Sequence, residues 1–182
     1  NVDLKGFTEE FYHRHCAGHL QPVLDCLLYL RRETSVWFEI TTLLIPGEND
    51  SDAEISAMSR WIFSQLGADV PLHFSAFHPD WKMVDKPPTP PATLTRARAL
   101  AMKEGLRFVY TGNVHDAAGG STWCPGCGAL LIERDWFQLG RWGLDAQAGC
   151  GRCQRPLPGR FDPRPGDWGA KRQPVRLQSA PG

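Results

Sequence analysis

Apolar residues along the chain alternate between two periods. Leu20 to Arg32 carries apolar residues at 20, 23, 24, 27, 28 and 30, the spacing of a helix with one wide buried face. Val36 to Ile45 is rich in β-branched and aromatic residues and stops at Pro46-Gly47, which predicts a strand ending in a turn. Ser51-Asp-Ala-Glu54 reads as a capping box that opens a helix with Ile55, Met58, Ile62 and Leu66 on one face and Gly67 as its stop. Val70 to Phe77 is again strand-like. Residues 85–92 hold four prolines (Pro87, Pro88, Pro90, Pro91) and predict an extended loop. A helix from about Thr93 to Glu104 stops at Gly105, and Leu106 to Tyr110 reads as the next strand. With residues 1–5 as a short first strand, the order is β-α-β-α-β-loop-α-β. That alternation predicts a parallel sheet with helical crossovers, either a small open α/β sheet or part of a barrel.

After Thr111 the texture changes to Gly, Cys, Trp and charged residues, and helical periodicity vanishes. Residues 121–161 make a second unit, with Leu130-Leu-Ile132 and Trp136-Phe137 expected to supply its few core side chains. The expected organisation is 1–114 for the α/β part, 115–162 for the small unit and 163–182 for a disordered tail of Pro, Gly, Arg and Gln.

Composition narrows this picture only slightly. Lys plus Arg and Asp plus Glu both number 20, so the formal net charge is zero, which disfavours a general nucleic-acid or membrane-surface binder. No apolar run approaches a membrane span. The chain opens Asn1-Val-Asp-Leu-Lys without an initiator methionine and inside a predicted strand, so the expectation is a portion of a longer protein.

The cysteines change the picture most. Cys124-Pro-Gly-Cys127-Gly and Cys150-Gly-Arg-Cys153 are two C-x2-C pairs. Two intervening residues let a tight turn point both sulfurs at one ion, and two such turns supply the four thiolates of a closed tetrahedral zinc site. Residues 128–149 between them slightly exceed the usual spacing of roughly 15–20 residues, which fits a ribbon with a longer hairpin. Two disulfides or a redox pair are the alternatives. A four-thiolate site leaves no position for substrate, so it predicts folding energy before chemistry. Paired metal-type cysteines with isolated Cys16 and Cys26 suit a reducing cytoplasm.

Candidate chemistry elsewhere sits at strand ends. Asp3 and Lys5 share one face of the first strand, as an exposed ion pair or a binding pair. Glu39 and Thr41 lie in an apolar strand, where a charge needs a partner or a polar cavity. His78 and Asp80 follow the third strand, and His78 reads as a ligand contact. His73, mid-strand with the opposite parity, reads as structural. Gly112-Asn113-Val114 is a turn that can bring backbone to a ligand. His13, His15, Cys16 and His19 cluster locally without a partner cluster. No Gly-rich phosphate loop, G-x-S-x-G or H-E-x-x-H is present.

Taken in order, Asp3-Leu-Lys5-Gly-Phe, Ile45-Pro-Gly-Glu-Asn49-Asp, Phe74-Ser-Ala-Phe-His78-Pro-Asp-Trp-Lys-Met83, Val109-Tyr-Thr-Gly-Asn113-Val, the two C-x2-C pairs and Leu157-Pro-Gly-Arg-Phe161 resemble one family. It is the radical S-adenosylmethionine (SAM) proteins of the AmmeMemoRadiSam system, relatives of pyruvate formate-lyase activating enzymes. The resemblance covers about residues 1–161. It implies an α/β fold, the C-terminal half of a partial (β/α)6 barrel followed by a small zinc-ribbon-like unit with four cysteine ligands. It also implies cofactor-side roles. Lys5 would hold the methionine carboxylate of SAM, as suits a point-charge ammonium, with Asp3 nearby and His78 on the ribose. Glu39 and Thr41 would face the substrate inside the barrel, and Cys124, Cys127, Cys150 and Cys153 would hold structural zinc.

The family's C-x3-C-x2-C motif for its [4Fe–4S] cluster is absent from cysteines 16, 26, 124, 127, 150 and 153, and is expected upstream of Asn1. The expectation is therefore a radical SAM fragment, inactive by itself. Its parent would act on an unknown substrate, with partner proteins of the same system and neither membrane nor nucleic acid. From another class comes a zinc-ribbon module recruiting protein or nucleic acid through Arg134, Arg141, Arg152, Arg155 and Arg160 with Trp136 and Trp142. A flavodoxin-like redox protein is a third alternative.

Overall fold

The computed structural model describes residues 1–162, 164–166 and 171. The residues expected to form a disordered tail thus lie almost wholly outside the described part. The first unit contains β1 (Val2–Asp3), a short α1 (Glu9–Phe11), α2 (Leu20–Glu33), β2 (Ile40–Leu44), α3 (Asp52–Leu66), β3 (Leu72–Ala76), α4 (Pro91–Lys103) and β4 (Val109–Gly112). The four strands form one all-parallel sheet in the order β1-β2-β3-β4.

Both ends of α3 and the start of α4 have local causes. The Ser51 side chain accepts from Glu54 N and caps α3, and Gly67 ends it at φ +101°, a value that favours glycine. The capping box is only half made, because Glu54 turns away to accept from Phe7 N at 2.6 Å. α4 begins earlier than predicted, at Pro91, since proline at the first helical position loses no hydrogen bond and carries the right φ.

Two strands are offset from expectation. β2 starts only at Ile40, where Ile40 N first finds a partner in Pro71 O. β4 begins at Val109 rather than Leu106. Leu106 and Phe108 are buried in the connection from α4, where Leu106 N donates to Ala101 O and Arg107 N to Ala68 O.

Alternation divides the sheet into two faces. Leu4, Ile40, Leu44, Leu72, Phe74 and Val109 are buried against Leu24 and Leu27 of α2, Ile55, Met58 and Ile62 of α3, and Leu94, Ala97 and Ala101 of α4. Each large aliphatic or aromatic side chain buried here contributes roughly 1.5–3 kcal/mol of transfer free energy. The register sets Asp3, Thr41, His73 and Tyr110 side by side in one row across the other face, which is polar.

The second unit holds a short α5 (Ala117–Gly120) and the antiparallel strands β5 (Thr122–Trp123), β6 (Leu130–Asp135) and β7 (Gln138–Trp142), in the order β5-β6-β7. Its core joins Leu131, Ile132, Cys124, Cys150 and Leu157 to Phe108 of the first unit. Trp136 and Phe137 do not belong to that core. They form the tip of the β6-β7 hairpin and are 50% and 48% exposed, because a two-residue turn points outward whatever side chains it carries. Among the described residues no helix is long and apolar enough to cross a membrane.

Candidate functional site

The four paired cysteines converge. Their sulfurs all lie within 4.8 Å of one another, with Cys124 Sγ 3.6 Å from Cys153 Sγ and Cys127 Sγ 3.7 Å from Cys150 Sγ. These are the edges of a thiolate tetrahedron around one ion bonded at about 2.3 Å, and they are far too long for disulfides. A cubane iron–sulfur cluster, in which each iron takes its own thiolate, needs the sulfurs farther apart.

Both turns are built alike. Cys124 N donates to Ala129 O and Gly128 N to Cys124 O; Cys150 N donates to Arg155 O and Gln154 N to Cys150 O. The residue after the second cysteine is left-handed in each turn, Gly128 at φ +69° and Gln154 at φ +61°. The backbone N–H groups of Cys153 and Arg152 hold the Cys150 thiol down at about 6. Against the Arg155 N–H, which favours a thiolate, the sulfurs of Cys127 and Cys124 push Cys153 up to about 12. Four sulfurs this close cannot all ionise without a compensating cation, so the donor set fits a divalent ion that displaces the protons.

The polar sheet face is the other concentration of chemistry. Glu39 Oε2 lies 2.7 Å from His73 Nε2, and Glu39 Oε1 accepts from Trp37 Nε1 at 3.3 Å. The His73 hydrogen bond outweighs desolvation and, with Trp37, holds the Glu39 carboxyl below the usual range. The His73 ring stacks on Tyr110 at 4.9 Å between centroids. The Tyr110 hydroxyl, its pKa raised by burial, lies 3.0 Å from Thr122 Oγ1 of the second unit. Arg134 Nη1 reaches the same Thr122 oxygen at 3.5 Å. Sequence reading set His73 aside as structural and passed over Tyr110. The signal was their shared parity with Glu39, Thr41 and Asp3, which becomes informative once the register is known.

The other predicted residues spread along the sheet. Lys5 Nζ pairs with Asp3 Oδ2 at 2.8 Å, both about half exposed. Thr41 Oγ1 donates to Asn1 Oδ1 at 2.8 Å. His78 is exposed beyond the end of β3, where strand parity no longer applies. The local histidine cluster separates: His19 turns to Glu9 and His15 to Glu48.

Glu48, with a side chain only 5% exposed, is ringed by Lys86, His15 at 2.9 Å and Arg14 at 3.4 Å. Hydrogen bonds from Lys86 and His15 outweigh desolvation and hold its pKa at about 2. Beside it, buried Asn49 accepts from Ile45 N at 2.7 Å and donates to Lys5 O at 2.7 Å and Leu43 O at 2.9 Å, fixing the backbone that carries Lys5.

A cleft of about 680 Å³ runs between the sheet and the four-cysteine unit. Glu39, His73 and Tyr110 line it from the sheet, and Arg134, Trp142 and Phe161 from the second unit. Asp3, Lys5, Thr41 and His78 do not line it.

The chain is 44% identical over 147 residues to the uncharacterized protein MJ0808 of Methanocaldococcus jannaschii. The match takes in 81% of this chain and 44% of that protein, so the chain spans less than half the length of this relative. No protein-family model matches the chain.

Proposed function

We propose that this chain is the later part of a radical SAM enzyme of the AmmeMemoRadiSam type, with the last strands of a partial (β/α)6 barrel followed by a structural zinc unit. The observation that carries the reading is the sheet itself. Four parallel strands follow one another in chain order, the packed helices lie on one face, and Asp3, Lys5, Glu39, Thr41 and His73 lie on the other. A barrel arc has this arrangement, with its polar face toward the interior. A flavodoxin-like sheet reverses its strand order at the switch point, and the described strands do not.

In this reading Lys5 receives the methionine carboxylate of SAM, Asp3 keeps the ammonium in place, and Asn49 positions the Lys5 backbone. His78, exposed past β3, takes the ribose, and Glu39 and Thr41 face the substrate. The four-cysteine site holds zinc as a folding element. The residues present do not fit the [4Fe–4S] cluster, since the described cysteines that converge do so at one closed single-ion site. The cluster ligands would belong to another part of the parent protein. The unknown substrate, any partner proteins of the same system and a cytoplasmic setting belong to the same proposal.

The test is the intact parent. A C-x3-C-x2-C motif in the gene upstream of Asn1, and reductive cleavage of SAM to 5′-deoxyadenosine by the iron-reconstituted protein, are the expected results. A complete gene without that motif sinks the reading. A Lys5→Ala or His78→Ala parent that binds SAM with undiminished affinity removes those two assignments.

A second reading, in which the four-cysteine unit recruits another macromolecule, is favoured by the exposed Trp136 and Phe137 at the hairpin tip. Salt-sensitive binding of single-stranded nucleic acid, lost in Trp136→Ala, would establish it.

A further inference from the structure

We infer that the cleft between the parallel sheet and the four-cysteine unit is a binding site for a small amphipathic carboxylate, with Arg134 taking the carboxylate. At about 680 Å³ the cleft has the size of a small-molecule site. Its walls are of two kinds. Phe108, Trp142, Leu157 and Phe161 offer apolar surface, while His73, Tyr110 and Arg134 converge as polar groups.

Arg134 sets the charge preference. Its position on β6 is fixed by its backbone N, which donates to Ser121 Oγ at 3.1 Å. The side chain is half-buried, makes no ion pair among the described residues and has only the 3.5 Å hydrogen bond to Thr122. A partly desolvated guanidinium is a planar fork that matches a carboxylate in two hydrogen bonds. Glu39 does not fill it, being engaged by His73 and Trp37. Acidic Glu39, Asp116, Asp135 and Asp162 outnumber the arginines Arg134, Arg160 and Arg164 in the described wall of the cleft, so a second negative charge on the ligand is disfavoured and a monocarboxylate is preferred to a phosphate monoester.

The cleft shares Glu39 with the proposed substrate-facing side of the sheet, but the site requires SAM neither to bind nor to be cleaved. A parent that fails to cleave SAM would leave this site standing, and an empty cleft would leave SAM cleavage standing.

The test is an NMR titration of the metal-loaded chain, reading the indole N–H signals of Trp37 and Trp142, both in the cleft wall. The probes are 2-naphthoate, its neutral amide and 2-naphthyl phosphate. Saturable binding of the naphthoate about tenfold tighter than the amide is expected, with the preference erased by Arg134→Gln and retained by Arg141→Gln, whose arginine does not line the cleft. Absence of shifts, equal affinity for acid and amide, tighter binding of the phosphate, or a preference that survives Arg134→Gln in a folded variant would each overturn the inference. The acid-against-amide comparison is made on the unaltered chain, so it decides even if Arg134→Gln fails to fold.

Discussion

His73 of β3 and Glu39, the residue just before β2, are joined Nε2 to Oε2 at 2.7 Å on the sheet face turned away from the helices. The bond depresses the Glu39 pKa. A carboxyl depressed on folding adds stability that is present above its unfolded pKa and is lost as pH falls through the folded value. His73→Phe keeps an aromatic ring against Tyr110 and removes the hydrogen bond. The Glu39 carboxyl resonance, followed by carbon NMR, should then titrate at higher pH than in the parent. Because Glu39 is 42% exposed, the stability difference at neutral pH should stay below about 1 kcal/mol.

Metal removal should dissect the two units. The chain as purified should carry about one zinc and no iron by elemental analysis, given the closed four-sulfur set. Chelation should unfold residues around β5, β6 and β7, read as loss of tryptophan near-ultraviolet dichroism, while the helical signal of α2, α3 and α4 persists. Iron with visible absorption would contradict the assignment. Cys150→Ser, at a fully buried ligand, should weaken metal retention more than Cys153→Ser, at an exposed one.

The two cysteine turns are alike in hydrogen bonding but differ at one residue. Gln154 occupies at φ +61° the place that Gly128 fills in the first turn. Relieving that conformation with Gln154→Gly should stabilise the metal-loaded unit by up to about 1 kcal/mol, and Gly128→Ala should cost about 1 kcal/mol. Chelator concentration at half-loss of the metal gives both signs in one assay. A Gln154→Gly variant that loses metal more easily would refute the strain argument.

Glu48 should govern behaviour in acid. Its pKa of about 2 lies below the unfolded value, so its contribution is complete above about pH 5 and disappears as the pH falls toward 2. Glu48→Gln leaves Lys86, His15 and Arg14 facing a neutral group and should cost about 1–3 kcal/mol at pH 7. Urea denaturation at pH 7, 4 and 2.5 should show the gap between parent and variant closing with acidity. A gap independent of pH would assign the loss to packing.

Much of the local structure was legible because its causes are local. Ser51 and Gly67 bound α3 as capping chemistry requires, and the C-x2-C spacing drew both sulfurs of each turn to one side. Offsets arose where a neighbour decided. β2 waits for Pro71 to supply a carbonyl, and Glu54 leaves its own helix cap for Phe7.

By itself, then, the sequence determined the alternation of strands and helices, the buried face of each, and the four-cysteine set, since all follow from spacing within short segments. Only the tertiary structure decided that Asp3, Thr41, His73 and Tyr110 share a row, that Asn49 ties the segment after β1 to β2, and that Arg134 of one unit meets Tyr110 of the other across Thr122. The physical reason is register. A strand's own parity says which residues share a face, but whole helices separate the parallel strands, so packing alone sets which residues stand opposite one another.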